Sequence, residues 1–241
     1  MLTLPADALA GAHGRRAPEL LDRHLALRLT GAIGERERRE WLAAIAAARA
    51  EWTPCFDGAQ FTVGRAWYTH LEEDRANEYF ARAAQSDAAV QRLVPGMQEQ
   101  VLALFARLLG GPVARRDGFC GPGVHVFPAG GLVAARGGDI HYDLEGLPPA
   151  HVAASAPAFS LVVMLQPPES GGDLRVWPRR HPDEEHAPPD CASESIPYAA
   201  GDLVCIDSYR LHQIQPFSGA RDRISITAHA ALDGDRWLVW F

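Results

Sequence analysis

The sequence predicts an α+β fold in which N-terminal helices buttress a β-barrel or sandwich built from the rest of the chain. Before position 118, apolar residues recur at helical spacing over long segments. From 118 to 241, short apolar runs alternate with Gly, Pro, Asp and Ser, which is typical of many short strands joined by turns. No internal repeat or Gly/Ser-rich linker divides the 241 residues. We therefore expect one domain, 1–241, with mainly helical support in 1–117 and the β core in 118–241.

The first half of the helical part combines helical and strand-like patterns. The leucines between Leu20 and Leu27 favour a helix or a short edge strand. Residues Glu35–Trp52 carry one apolar stripe at helical spacing and predict a helix. Residues Phe61–Tyr68 are rich in aromatic and β-branched side chains and predict a strand.

Further helices are predicted before the β core. Residues Asp74–Ala84 favour a short helix, and Ser86-Asp87 could cap the next one. A stronger helix begins near Pro95, and the glycines from Gly110 end it.

The β core is predicted from nine short apolar runs separated by turn residues. The predicted strands are Val124–Phe127, Leu132–Ala135, Ile140–Asp143, Phe159–Gln166, Leu174–Trp177, Leu203–Ile206, His212–Gln215, Ile224–Ala231 and Trp237–Phe241. The Pro-rich, charged segment from Pro178 to Ser195 predicts a surface loop. Its part Arg179–Ser195 could act as a substrate lid, although a plain solvated loop is the default interpretation.

Composition excludes several kinds of function. A net charge of −7 argues against broad binding to nucleic acid or acidic membranes. All 23 basic residues are Arg, so lysine-dependent Schiff-base, pyridoxal-phosphate and P-loop chemistry are excluded. The four cysteines form no C-x-x-C pair, and the first residues lack the charge and apolar run of a signal peptide. We expect a cytoplasmic protein with free thiols and no membrane span.

The pair His141-Tyr142-Asp143 is the strongest candidate for a metal site. Residues two apart on a strand point to the same side, so His141 and Asp143 could reach one ion. Chance alone predicts about 0.7 His-x-Asp pairs in a chain of this composition, and His181-Pro182-Asp183 is a second one. The second pair contains a proline and lies among charged residues, which favours a loop. Taken alone, the first pair is also compatible with a core histidine and a turn aspartate.

Downstream residues complete a ligand pattern. His212, also in a strand-like run, follows 69 residues after Asp143, and Arg223-Ile224-Ser225 follows eleven residues after His212. Two histidines and one carboxylate hold one face of a mononuclear iron and leave the other positions open. This order resembles that of the iron(II)/2-oxoglutarate-dependent dioxygenases of the prolyl-hydroxylase-like type. The resemblance extends over about residues 120–231 and includes Gly171-Gly172-Asp173-Leu174 and Ala200-Gly201-Asp202-Leu203-Val204.

The resemblance implies a double-stranded β-helix, a jelly-roll (cupin-like) barrel, in 118–241. It also implies iron(II), 2-oxoglutarate and O₂ as cofactor and co-substrates, with His141, Asp143 and His212 as metal ligands. The distal carboxylate of 2-oxoglutarate needs a permanently charged fork, and without lysine this leaves Arg223 or Arg221. We favour Arg223, because its alternation in the strand places it beside Ser225. Arg221 shares that parity but lies in the turn.

Other residues are weaker candidates. His125, on the strand before the metal pair, could contact 2-oxoglutarate or substrate, and a packed core histidine is the alternative. Trp67, His70 and Trp177 are candidates for the substrate pocket, although buried aromatic residues are more often structural.

The predicted activity is oxidation of an unactivated C–H bond of a small molecule, with release of succinate and CO₂. Hydroxylation is preferred to desaturation or cyclisation. The substrate could be a free or carrier-bound small molecule, such as an amino acid or natural product, and the protein a monomer or homodimer. The alternatives are a cupin-like metalloenzyme that does not use 2-oxoglutarate and a non-catalytic small-ligand-binding barrel.

Overall fold

The computed structural model describes residues 1–9, 16–184 and 191–241, and within them the chain is a mixed α/β protein. The helices are α1 (Ala17–Leu21), α2 (Glu35–Ala47), α3 (Trp67–Glu72), α4 (Ala76–Leu93), α5 (Met97–Leu109), α6 (Leu132–Arg136) and α7 (Pro149–Ala153). The strands are β1 (Leu2–Pro5), β2 (Leu27–Thr30), β3 (Thr53–Cys55), β4 (Gln60–Val63), β5 (Val113–Arg115), β6 (Gly123–Phe127), β7 (Ala158–Gln166), β8 (Ser170–Gly171), β9 (Leu174–Arg180), β10 (Glu194–Ile196), β11 (Leu203–Asp207), β12 (Arg210–Ile214), β13 (Phe217–Ser218), β14 (Arg223–Asp233) and β15 (Arg236–Trp240).

One large sheet forms the frame of the molecule. Its main path is β1-β2-β11-β7-β14-β6-β4-β3, and β15 and β5 join beside β14. The long strand β14 pairs with β7 on one side, and with β6 and then β15 on the other. Strands β2 and β4 lie next to β11 and β6, so the N-terminal part contributes strands as well as helices.

The two faces of β14 have different surroundings, because successive side chains of a strand point to opposite sides. Ile224, Ile226, Ala228 and Ala230 belong to the main apolar core. Arg223, Ser225, Thr227 and His229 line an internal cavity. The apolar face therefore stabilises the sheet, and the other face is available for polar groups.

A smaller antiparallel sheet, in the order β10-β9-β12, contributes the opposite wall of this cavity through residues such as Leu174 and Ile214. His212 lies on β12 opposite Val176 of β9. An isolated bridge joins His141 to His212 and attaches the segment after α6 to β12.

Helices α2 and α5 pack on the apolar side of the large sheet. Their contributions to the core include Trp41, Ile45, Val101 and Leu104. Helix α5 ends at Gly110, whose φ of +73° is favourable for glycine, as the sequence predicted. No described helix has both the length and the apolar character needed to cross a bilayer.

Most of the predicted strands are confirmed, but two N-terminal predictions are wrong. The strand predicted for Phe61–Tyr68 ends at Val63, because the chain turns at Gly64, where φ is +91°, and Trp67 begins α3. The two helices predicted around Ser86-Asp87 are the single helix α4. Asp87 does not cap a helix but accepts hydrogen bonds from Gln98 Nε2 at 3.1 Å and from the amide of Gly121 at 2.9 Å.

Two predicted strands near the metal pair are also corrected. Residues Leu132–Ala135 form part of helix α6, since four successive apolar residues carry no alternation that could distinguish a strand from a helix. The segment Ile140–Asp143 contains only the single bridge at His141. Its alignment therefore depends on β12 and not on a ladder of its own.

The loop predicted from Pro178 to Ser195 is shorter than expected. Strand β9 continues through Arg180, and β10 begins at Glu194. Residues 185–190 of this predicted loop and lid lie outside the described residues.

Candidate metal centre

The backbone brings the two predicted histidine ligands side by side. The amide of His141 donates to the carbonyl of His212 at 3.1 Å, and the amide of His212 donates back at 3.0 Å. The two rings lie 4.3 Å apart between centroids. A third backbone bond, from the amide of Asp143 to the carbonyl of Ser208 at 3.0 Å, anchors the carboxylate-bearing residue.

These contacts place three metal-binding side chains together. His141 Nε2 lies 3.3 Å from Asp143 Oδ1, and His212 Nε2 lies 3.2 Å from Asp143 Oδ2. One ligand atom of each residue lies within 4.8 Å of the other two. Residues separated by 69 positions in the chain thus converge as the sequence predicted.

Both rings present the same nitrogen to the centre. Nδ1 of His141 donates to the carbonyl of Asp139 at 2.9 Å, and Nδ1 of His212 donates to the carbonyl of Arg210 at 2.9 Å. A carbonyl only accepts, so Nδ1 carries the proton and the lone pair of a neutral ring is on Nε2. This second contact fixes the tautomer and orientation that a metal ligand needs.

The charges of the three groups are strongly coupled. Burial disfavours the charged form of His141, but the Asp143 carboxylate outweighs this effect and raises the pKa of His141 to about 9. Burial would raise the pKa of Asp143, yet the two histidines hold it well below its usual range. The cluster therefore holds a carboxylate that attracts cations, and a divalent ion would replace the proton on Nε2.

A cavity of about 860 Å³ contains this cluster. Arg223, Ser225, Thr227 and His229 of β14 line it, together with His125 of β6. Among other residues around the cavity are Phe56, Gln60, Tyr68, Glu72, Leu132, Val133, Arg136, Asp139, Ile140, Glu145, Ser160, Val162 and Tyr198. The metal cluster and Arg223 thus line the same cavity.

Arg223 is a buried charge without an acidic partner. It is 1% exposed, and no carboxylate in the described part of the chain lies within ion-pair distance. Its guanidinium donates to the carbonyl of Gly172 at 3.4 Å and to Ser225 Oγ at 3.3 Å. These contacts are long, and burial lowers the pKa of Arg223. A buried unpaired cation is costly, so the surroundings favour an anionic ligand here.

Tyr198 lies beside Arg223 and was not anticipated from the sequence. The guanidinium carbon is 5.1 Å from its ring centroid. Its hydroxyl is buried and has no hydrogen-bond partner among the described residues. Burial raises the pKa of Tyr198 to about 12 against the opposing effect of Arg223, so the hydroxyl stays protonated and can donate. Tyr198 lies between β10 and β11 in a segment without a motif, and nothing in the sequence marked it.

His125 also lines the cavity. It is 4% exposed, and its Nδ1 has no hydrogen-bond partner in the described structure. Burial, followed by His229 and Arg223, lowers the pKa of His125 to about 3, so the ring is neutral. It packs 4.8 Å from the ring of Phe241.

The structure corrects the predicted substrate-pocket residues, because Trp67, His70 and Trp177 do not line this cavity. Trp67 packs among other aromatic rings, and Trp177 packs with Tyr142 in a separate apolar cluster. His70 is buried and bonds through Nδ1 to the carbonyl of Ala66 at 2.8 Å. All three serve packing, which was the alternative interpretation.

Two further sequence candidates lie outside the cavity. The side chain of Arg221 is 53% exposed and lies 4.0 Å from Glu169. The pair His181 and Asp183 lies after β9 and belongs neither to the metal cluster nor to the cavity lining; both residues contact Tyr142 instead. Of the two candidate arginines, only Arg223 faces the metal cluster.

His229 is not among the site residues predicted from the sequence, but it lines the cavity, and its Nδ1 lies 4.0 Å from Asp143 Oδ2. The signal was present in the sequence, because His229 has the same parity on β14 as Arg223 and Ser225. Ser160, on the neighbouring strand β7, contacts His229 and carried no sequence signal.

The sequence matches no protein-family model and no curated protein, but solved structures share its fold. The non-heme α-ketoglutarate-dependent carbocyclase SnoK of nogalamycin biosynthesis is 14% identical, with a TM-score of 0.58 and 99% of this chain and 100% of SnoK covered. The α-ketoglutarate-dependent epimerase SnoN of the same biosynthesis is 18% identical, with a TM-score of 0.55 and 90% and 84% covered. A 2OG-Fe(II) oxygenase family oxidoreductase from Burkholderia pseudomallei is 14% identical, with a TM-score of 0.52 and 94% and 92% covered.

Proposed function

We propose that this chain, which has the fold of 2-oxoglutarate- and iron-dependent oxygenases, is itself an iron(II)- and 2-oxoglutarate-dependent oxygenase of a small molecule. The two sheets around the cavity would then be the walls of a double-stranded β-helix. When bound, iron and 2-oxoglutarate would supply oxidising power from O₂, with succinate and CO₂ as by-products.

One observation supports the proposal most strongly. A two-histidine, one-carboxylate cluster and a buried arginine that has no acidic partner among the described residues face the same cavity. The cluster offers nitrogen and oxygen donors suited to a mononuclear iron with open positions. The arginine offers a cation to the far end of a dicarboxylate. A cupin-like metalloenzyme that does not use 2-oxoglutarate would leave the burial of Arg223 unexplained.

The proposed roles follow from the contacts. His141, Asp143 and His212 would hold the ion, because each histidine keeps Nε2 available through its Nδ1 contact. Arg223 and Ser225 would hold the distal carboxylate of 2-oxoglutarate by charge-assisted hydrogen bonds. Tyr198, whose protonated hydroxyl is buried beside Arg223, would donate to the same carboxylate.

The remaining cavity wall would receive the substrate. It combines apolar residues, such as Phe56, Leu132 and Ile140, with the carboxyl groups of Glu72 and Glu145. Burial, followed by the charge of Asp143, raises the pKa of Glu145 to about 7. Such a wall suits an organic molecule with both apolar and polar groups. SnoN has been solved in complex with Fe³⁺, α-ketoglutarate and nogalamycin RO, which supports a small-molecule substrate from natural-product biosynthesis.

The reaction would be oxidation of an unactivated C–H bond, with hydroxylation preferred to desaturation or cyclisation. The carboxylate of Asp143 would occupy the third ligand position and hold the ion together with the two histidines. His125, neutral and with a free Nδ1, would contact 2-oxoglutarate or the substrate.

An anaerobic titration tests the proposal. Fe(II) followed by 2-oxoglutarate should produce a weak visible charge-transfer band that saturates at one equivalent, because chelation by the 2-oxo acid creates it. Succinate should then accumulate in air. Metal binding without the band would favour a cupin-like enzyme, and the absence of metal binding would favour a non-catalytic binding barrel.

A further inference from the structure

A closed ring of polar contacts starts at the backbone of Asp143 and returns to its carboxylate. The amide of Asp143 donates to the carbonyl of Ser208 at 3.0 Å. The hydroxyl of Ser208 lies 3.0 Å from that of Ser160, and Ser160 Oγ lies 3.4 Å from His229 Nδ1. The same Nδ1 lies 4.0 Å from Asp143 Oδ2, which is too far for a hydrogen bond, so the ring is completed by a longer electrostatic contact with the carboxylate.

The ring is built into three separate parts of the large sheet. Ser160 is on β7, Ser208 directly follows β11, and His229 is on β14. Ser160 is 3% exposed and Ser208 is 1% exposed. The His229 ring is held from another side by Trp240, 5.8 Å away between centroids. Buried hydroxyls need partners, and in this ring they contact each other and the imidazole.

The position of the proton on His229 follows from its neighbours. A carboxylate only accepts hydrogen bonds, so the negative charge of Asp143 favours the tautomer with hydrogen on Nδ1. The acceptors nearest to that hydrogen-bearing nitrogen are then Ser160 Oγ at 3.4 Å and Asp143 Oδ2 at 4.0 Å. Oδ2 is also the oxygen that faces His212, at 3.2 Å, whereas Oδ1 faces His141. Of the two carboxylate oxygens of Asp143, Oδ2 is therefore the one that His229 approaches.

We propose that His229 is a positioning residue, and this proposal rests on the proposed function. Through Nδ1, His229 orients the carboxylate of Asp143 so that one oxygen is presented to the ion held by His141 and His212. Ser160 contacts Nδ1 directly, and Ser208 in turn contacts Ser160. In the described part of the chain, His229 is the one imidazole within 4.0 Å of that carboxylate that is not a predicted ligand. Partners that orient a ligating group typically change metal affinity 10–100-fold when removed.

Four variants separate positioning from packing. His229→Ala removes the contact, and His229→Asn restores a polar hydrogen near the position of Nδ1. His229→Gln places its amide near the position of Nε2 instead, and from there the amide does not reach Ser160 or Asp143. Thr227→Val is the matched control, because Thr227 faces the same cavity from the same strand but is not part of the ring.

The measurement is the dissociation constant of Co(II), a redox-stable probe for iron(II), followed by its visible absorption on each full-length, metal-free protein. We expect His229→Ala and His229→Gln to bind Co(II) about 10-fold or more weakly. His229→Asn should stay within about threefold of wild type, and Thr227→Val should be unchanged. The energy of the Co(II) absorption bands should shift in the alanine and glutamine variants only.

Equal Co(II) affinity in wild type and His229→Ala would overturn the inference. So would equal losses in the asparagine, glutamine and alanine variants, because these would show that only the shape of the imidazole matters. Thermal unfolding of each metal-free variant identifies any that fail to fold. In that case Ser160→Ala, which removes only a hydroxyl, is used in their place, and we expect it to lose less Co(II) affinity than His229→Ala would. If wild type itself binds no Co(II), the proposed function fails first, and this result differs from every outcome above.

Discussion

Replacing Arg223 by methionine should change stability and ligand binding in opposite directions. The guanidinium is 1% exposed and has only two long hydrogen bonds and no acidic partner among the described residues. Replacing buried ionic groups by apolar ones of similar volume is often neutral or stabilises a protein by about 1–4 kcal/mol. At 2–4 °C per kcal/mol for a chain of this size, the ligand-free variant should melt at the same temperature or several degrees higher.

Binding of 2-oxoglutarate should fall sharply in the same variant. Hydrogen bonds to charged groups contribute about 1.5–3 kcal/mol each. Loss of one strong or two weak bonds, about 3 kcal/mol, weakens binding by about 150-fold. Differential scanning fluorimetry of the metal-free protein measures the first effect, and anaerobic titration with Fe(II) and 2-oxoglutarate measures the second. Arg221→Met is the control, because Arg221 is exposed on the surface and should change neither quantity.

The result that would refute this reasoning is a pronounced fall in melting temperature together with an unchanged affinity for 2-oxoglutarate. Arg223 would then stabilise the fold through its contacts with Gly172 and Ser225, and the cavity would lack its anion site. A fall in both quantities would contradict the idea that the isolated charge is costly, but not the assignment of the ligand.

Three further predictions concern the site and its support. Asp143→Ala should weaken Fe(II) binding by roughly 100-fold or more and abolish succinate release; full activity would remove the ligand assignment. His125 has a pKa of about 3 when folded and about 6.5 when unfolded, so the unfolded chain binds the extra proton and stability is lost as pH falls from 6.5 toward 3. Between pH 7 and pH 5, the free energy of unfolding measured by urea denaturation should fall by up to about 2 kcal/mol more in wild type than in His125→Asn. An equal fall in the two proteins would contradict this. Gly137→Ala should destabilise the protein by about 1–3 kcal/mol more than Gly130→Ala does. A Cβ at position 137 would lie 2.5 Å from the carbonyl oxygen of Ile214, whereas a Cβ at position 130 would meet no atom within 4 Å. Similar urea midpoints for the two variants would refute this prediction.

The alternation of strand residues explains what the sequence could predict about the site. Arg223 and Ser225 share a face because they are two apart, and the pattern is local enough to recognise without a structure. His212 could be nominated because its distance from His141 and its strand-like context match a known order. The same alternation extends to His229, so its inclusion in the cavity was predictable in principle.

Other features depend on long-range contacts that no local pattern encodes. The run from Leu132 to Ala135 has no alternation, and its helix is defined by glycines on both sides and by its place at the cavity. Trp67 has the composition of a pocket residue, but the turn at Gly64 sends it into a cluster with Tyr79. Tyr198 lies in the connection between β10 and β11, which belong to different sheets, and its contact with Arg223 joins residues 25 positions apart.

One face of β14 packs in the apolar core and the other lines the cavity, so the two faces should respond differently to substitution. Ile226 is fully buried in the apolar core, and truncating such a residue to alanine costs about 2–5 kcal/mol. Ile226→Ala should therefore lower the free energy of unfolding by that amount, while the folded protein binds Co(II) as wild type does. His229→Ala, three residues further along on the cavity face, should weaken Co(II) binding with a smaller loss of stability. Urea denaturation and Co(II) titration of both variants measure these two effects. If Ile226→Ala also weakened Co(II) binding in the folded state, the core face would determine the geometry of the site, and the two faces could not be treated as independent.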